Sequence, residues 1–270
     1  MKVFAIRNEF DSDHRNLAYL IYYNKAKKFY IELPDNTDQW DVPIVLSSFV
    51  KGGELTVNSY WSKIWVQQRI VPSDRQNLGQ ILRDNNLKEY DEYELLMLTK
   101  GRCEQDDCYL VPIKQSELPK GIKKRMQRKI EYAIPLDKYK VIVFFRNGKA
   151  KLCDVSFAFD EIVKKNKKYG SYEVFKNLKT LAGGYGISWG SIVIIDDWFY
   201  NNGKPIPLNI EDFKLILVNG TVNSAEAAEL LDCSRQNIDD LIKRDKLHPI
   251  KVSGKNKMFL RDEVIKREWE

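Results

Sequence analysis

The apolar positions of this 270-residue chain change period several times, and each change predicts an element. Val3, Ala5 and Leu17–Tyr23 are apolar or aromatic. The run IYYNKAKKFYIEL sets a polar Asn-Lys-Ala-Lys-Lys break between two β-rich stretches, the pattern of a hairpin. Pro34 to Asp38 reads as a loop. The apolar run 42–50 ends at Gly52-Gly53. Trp61, Ile64, Trp65 and Gln68 recur at helical spacing and predict a short amphipathic helix, which Pro72 interrupts. Ser73 is placed to cap a further helix to about Leu82, with Leu78, Ile81 and Leu82 on one face.

Beyond a punctuated, basic stretch at 114–134, Tyr139–Phe145 is a strong strand signal. Asn147-Gly148 is the pair a tight hairpin turn needs, and Ala150–Val155 is the return strand. Phe157–Lys165 and Tyr172–Leu178 read as helices. The glycine-rich 183–190 and Ile192–Ile195 read as a second hairpin, 201–207 as a loop, and Leu208–Val218 as a strand or short helix. Near the C-terminus, Asn223 with Glu226 three residues on forms a capping box for a helix over Ala225–Leu231. Ala227 and Ala228 are small enough to let a second helix cross closely. Asp232-Cys233 is the turn, and Ser234 caps a second helix through about Lys243. Ile238, Leu241 and Ile242 face inward, and Arg235, Gln236, Asn237 and Asp240 outward. Leu247–Ile250 enters a strand, 253–256 turns, Lys257–Leu260 returns, and Asp262 caps a final helix. The whole predicts an α+β protein in three parts: a β-rich N-terminal domain (1–118), a small α+β middle domain (119–220) and a C-terminal helix-turn-helix with a hairpin (221–270).

Charge sharpens this division. The chain carries 44 Lys+Arg against 38 Asp+Glu, a net +6. Residues 114–179 hold 18 basic against 7 acidic residues, whereas 221–270 hold 10 of each. The excess is compatible with a polyanion partner and equally with a solvated, lysine-rich surface. No apolar run is long enough for a membrane span, and the N-terminal residues lack the pattern of a signal peptide. Four cysteines are too few for a disulfide scaffold, so a reduced, cytoplasmic protein is expected.

Catalytic chemistry finds little support. Asp154, Asp160, Asp196 and Asp197 are candidate acids of the middle domain, but no His lies among them and no nucleophile–base pair is available. Gly183-Gly184-Tyr185-Gly186 lacks the Gly-Lys-Ser/Thr ending of a phosphate loop. Cys103 and Cys108 would need two further Cys or His ligands to hold zinc, and only His14 and His248 exist. They read better as part of an acidic turn between strands. No catalytic residue, metal or cofactor is expected. Trp61, Trp65, Arg69, Arg75 and Asn77 could form a nucleobase- or peptide-binding cluster. The preferred reading buries both tryptophans and pairs the arginines with Asp84, Asp91 or Glu92.

Two resemblances bear on function. The succession YKVIVFFRNGKAKLCDV, YEVFKNL, YGISWG and Tyr200 resembles a bacterial family of small α+β domains of unknown function, members of which are fused to helix-turn-helix domains. About 45 residues within Val222–Glu270, with Glu226-Ala227-Ala228, Ser234-Arg235-Gln236 and a lysine-bearing hairpin, resemble the winged helix-turn-helix of the MerR and phage-excisionase class. Carried over, that resemblance implies that Ser234, Arg235, Gln236 and Asn237 read DNA while Lys251, Lys255 and Lys257 contact phosphates. Asp232 stands where that class commonly has a turn glycine, and Asp239 and Asp240 where an aromatic and a basic residue are common. Lys123, Lys124, Arg125, Arg128, Lys164, Lys165, Lys167 and Lys168 are candidate additional phosphate contacts. The expectation is a bacterial or phage transcriptional regulator that binds double-stranded DNA as a homodimer. The alternative is an antitoxin-like or adaptor protein whose helix-turn-helix contacts a protein partner.

Overall fold

The computed structural model describes residues 1–136, 139–159 and 172–267. It is a mixed α+β structure with several antiparallel sheets. The chain divides into two compact units, one of Met1–Asn147 with Cys153–Gly203, the other of Gly148–Leu152 with Lys204–Glu270.

The first unit begins with a five-stranded sheet in the order β4-β3-β2-β1-β5. Its strands are β1 (Lys2–Asn8), β2 (Ala18–Tyr23), β3 (Lys28–Glu32), β4 (Thr56–Val57) and β5 (Cys108–Ile113). The expected hairpin is present, with Tyr22 opposite Phe29 and Leu20 opposite Ile31. Unlike a half-solvated sheet, this one is covered on both faces, which is why AYLIYY reads as a continuous apolar run. Phe4, Ile6, Leu20 and Tyr22 pack with Leu46, Trp65 and Leu96 on one side. Val3, Ala5, Tyr19 and Ile21 pack with Leu118, Ile122, Met126 and Tyr185 on the other. Each fully buried large apolar side chain contributes about 1.5–3 kcal/mol.

The helices of the first face partly match the periodicity. Ser59–Gln67 is helical, with the Asn58 side chain accepting from the Tyr60 and Trp61 amides. Of its two tryptophans only Trp65 is buried, whereas Trp61 is 42% exposed. The apolar run 42–50 becomes the helix Ile44–Lys51. Ser73 does not cap the next helix, which begins at Leu78 and has no side-chain cap bond. Arg69 is buried and pairs with Asp106 of the acidic turn, with its guanidinium 3.6 Å from the Trp65 ring centroid; Asp84, Asp91 and Glu92 are not its partners.

The basic stretch read from the sequence as a domain boundary contains the helix Lys120–Gln127. Its residues Ile122 and Met126, with the preceding Leu118, lie against the sheet inside this unit. A second core gathers Phe145, Phe159, Phe175, Trp189 and Phe199, and the Trp189 indole donates to the Phe175 carbonyl at 2.8 Å. Around it, Ile130–Pro135 pairs with Lys140–Phe145, and the hairpin Gly186–Trp189/Ile192–Ile195 carries Lys179–Thr180 on its edge. Gly184 has φ 80° and its α-carbon faces the Ile130 backbone so closely that a β-carbon would collide with the Ile130 carbonyl. Residues 156–159 are helical. The remainder of the helix expected to Lys165, together with Asp160 and Lys164, Lys165, Lys167 and Lys168, lies outside the described residues.

In the second unit, Lys204–Ile206 is a strand opposite Ala150–Leu152, where a loop was expected. Ile210–Gly220 is a helix, deciding between the two readings of that stretch. Next come the helices Ser224–Leu230 and Arg235–Lys243, and a three-stranded sheet in which Asn256–Leu260 is flanked by Thr221–Asn223 and Lys251–Ser253. The last helix begins at Arg261, one residue before the expected cap Asp262. Val222, Ala227, Ile238, Leu247, Phe259 and Val264 form this unit's core.

Candidate functional site

The C-terminal helix pair follows from local chemistry. Asn223 accepts from the Ala225 and Glu226 amides while Glu226 accepts from the Asn223 amide at 2.8 Å, completing the capping box. Asp232 takes the turn with φ 45°, in the left-handed region where glycine is otherwise favoured. Ser234 Oγ accepts from the Asn237 amide at 3.2 Å and so starts the second helix. Ile238 is fully buried and Leu241 and Ile242 are half-buried, which turns Arg235, Gln236 and Asn237 to solvent in the first turn.

Charge on this surface is arranged more tightly than the sequence suggests. Asp239 accepts from Lys257 at 2.6 Å and Asp240 from Lys243 at 3.1 Å. The Lys257 ammonium is the main cause holding the Asp239 carboxyl below its usual range. The two aspartates that depart from the resembled class are thereby each paired with a lysine, and Lys257 is engaged within the unit. Lys251 and Lys255 are exposed and form no ion pair among the described residues. Arg244 and Lys246, at the end of the second helix, are also exposed.

The basic residues of the first unit divide sharply. Lys123 and Lys124 are exposed, and Lys123 donates to the Ser116 carbonyl at 2.5 Å. Arg125 is not a surface cation. Its side chain is 13% exposed, and it donates to Glu32 at 3.1 Å, to Asp35 and to the Leu33 carbonyl. That commitment removes it from the candidate phosphate contacts. Arg128 is half-buried, with its guanidinium 4.8 Å from the Tyr200 ring centroid.

Lys129, last of the same basic run, is 1% exposed. Its ammonium lies 3.0 Å from Asp196 and 3.6 Å from Glu32, both buried, and 4.0 Å from the centroid of the Tyr185 ring. Tyr185 in turn stacks on Tyr30 at 3.7 Å. Burial pushes the Asp196 carboxyl up to about 6, opposed by Lys129 and reinforced by Asp197. Burial, with the Glu32 carboxylate adding to it, holds the Tyr185 phenol well above its ordinary range. This ion cluster lies beside a cleft of about 720 Å³ within the first unit, which Arg125, Arg128, Asp196 and Asp197 help to line. Asp196 and Asp197 were candidate acids in the sequence; Lys129 and Glu32 were not distinguished from ordinary surface charges.

The four cysteines are free thiols, and burial pushes Cys108 up to about 12, which leaves it unreactive. Among the described residues no three or more His, Cys, Asp or Glu side chains gather as a metal site, and no helix is long and apolar enough to cross a membrane. Comparison with protein-family models, with curated proteins and with solved structures returned no match.

Proposed function

We propose that this protein is a sequence-specific DNA-binding protein of the transcription-regulator kind, with residues 221–270 acting as a winged helix-turn-helix. The observation that carries the reading is the Ser234-capped helix, with Arg235, Gln236 and Asn237 exposed together in its first turn. Such first-turn side chains reach base edges in the major groove. Arg suits guanine, and Asn or Gln suits adenine. Lys251 and Lys255 of the hairpin are free to meet phosphates. One such module spans few base pairs, so a homodimer on two half-sites is expected. Selection from random duplexes with the purified chain tests the reading, and enrichment of a two-half-site motif is the expected outcome. Failure to enrich any motif would refute it.

A second reading, in which this unit contacts a protein in the manner of an antitoxin or adaptor, draws on the helix Ile210–Gly220. Leu215, Ile216, Leu217 and Val218 are all 45% exposed or more on that helix. A co-purifying protein combined with no enriched DNA motif would favour it.

A further inference from the structure

The cleft of the first unit presents charges that the described residues leave unmatched. Arg125 is saturated by Glu32, Asp35 and the Leu33 carbonyl. Arg128 has no carboxylate partner among the described residues; its contact is the face of Tyr200. On the acidic side, Asp196 has one cation, Lys129, which it shares with Glu32. Its neighbour Asp197 is half-buried and has no ion pair among the described residues. Among the described residues the cleft therefore offers one guanidinium with no carboxylate partner and, besides the exposed Glu54, a pair of adjacent carboxylates served by part of one ammonium.

Between these charges the wall is apolar. Val193 and Ile195 lie in the strand Ile192–Ile195, where Ile192 and Ile194 point into the core while Val193 and Ile195 remain 53% and 54% exposed. A strand that is apolar on both faces reads as buried on both, yet here the outer face opens on the cleft, together with Leu55 and Leu181. The volume of about 720 Å³ falls within the range of small-molecule sites.

From these features we infer that the cleft binds a small zwitterion with an apolar body, of the amino-acid or short-peptide class. Its carboxylate lies on Arg128, its ammonium on Asp197 and Asp196, and its side chain on Val193, Ile195, Leu55 and Leu181. Guanidinium and carboxylate match in a two-pronged geometry that an ammonium on the protein would not supply. The inference does not depend on DNA binding, because the cleft lies wholly within the first unit.

The test uses the full chain and calorimetric titration with four probes: L-leucine, L-leucyl-L-leucine, L-leucinamide, which lacks the carboxylate, and N-acetyl-L-leucine, which lacks the ammonium. The expected result is that a zwitterionic probe binds with a Kd tighter than about 1 mM and the two truncated probes bind about tenfold or more weakly. Whether the free amino acid or the dipeptide binds more tightly distinguishes the two sources. Arg128→Gln is expected to weaken the zwitterion about tenfold and leave leucinamide unchanged, and Asp197→Asn to do the same with N-acetyl-leucine unchanged. Circular dichroism confirms that both variants fold. No binding of either zwitterion to the native chain, or equal losses for intact and truncated probes, would overturn the inference.

Discussion

Replacing Lys129 with Met removes the cation that Glu32 and Asp196 share, while keeping a side chain of similar length in a site that is 1% exposed. Breaking a buried pair by deleting one partner costs about 3–5 kcal/mol as a general figure. Here the structure sets a lower value and a pH dependence. Glu32 keeps Arg125 at 3.1 Å and the Thr56 hydroxyl at 3.1 Å, so its charge remains compensated. Asp196 loses its cation, but it can escape by taking up a proton. In the native protein its carboxyl stands at about 6 against 3.8 for a free side chain, an existing penalty of about 3 kcal/mol at neutral pH. Holding the same carboxyl fully protonated near pH 7.5 costs about 5 kcal/mol relative to the unfolded chain. The difference, about 2 kcal/mol, bounds what Asp196 can add to the cost of Lys129→Met at that pH. Near pH 5 native Asp196 is already largely protonated, and the added cost from this residue falls below about 1 kcal/mol. The sign follows from the raised value: the Asp196 contribution to stability is fully present below 3.8 and is lost as pH rises through about 6. Urea unfolding followed by tryptophan fluorescence, for native and variant chains near pH 5 and pH 7.5, measures both costs. A destabilisation from Lys129→Met that is the same at the two pH values would refute the coupling of Lys129 to Asp196.

Arg235→Ala is expected to cost about 1–3 kcal/mol on a selected DNA site and little on random duplex, measured by fluorescence anisotropy. Lys251→Ala with Lys255→Ala should weaken both duplexes alike and reduce the slope of log affinity against log salt by about 2 per protomer, about 4 for the homodimer, which a titration series reads directly. Gly184→Ala places a β-carbon against the Ile130 carbonyl in a left-handed backbone position, and a loss of about 3 kcal/mol or more in denaturant unfolding is expected.

What the sequence disclosed and what it concealed differ by the range of the interactions involved. The capping box at Asn223 and Glu226 and the cap at Ser234 are contacts between residues two or three positions apart, so spacing alone revealed them. The hairpin β2–β3 was equally legible, because its break and both strands lie in one short run. Lys129 was not. It closes a basic run in which Lys123 and Lys124 face solvent while Arg125 and Arg128 are partly buried, and nothing in the run marks which members turn inward. The groups that make its burial tolerable, Glu32 and Asp196, come from the end of β3 and the start of the helix Asp196–Asn202. Arg69 shows the same limit: the expected partners were Asp84, Asp91 or Glu92, and Asp106 lies beyond them in the acidic turn. The two tryptophans of the Ser59–Gln67 helix were expected on one buried face, but the core takes Trp65 and leaves Trp61 at its edge.

The bridge between Lys257 and Asp239 has a consequence for how the second unit would meet DNA. A lysine already held at 2.6 Å by an aspartate gains from a phosphate only the difference between two anions. If it leaves, it exposes the aspartate to the same phosphate. Encounter with an arbitrary duplex is then nearly neutral at this position, and tight association falls to geometries that place the backbone beyond the bridge.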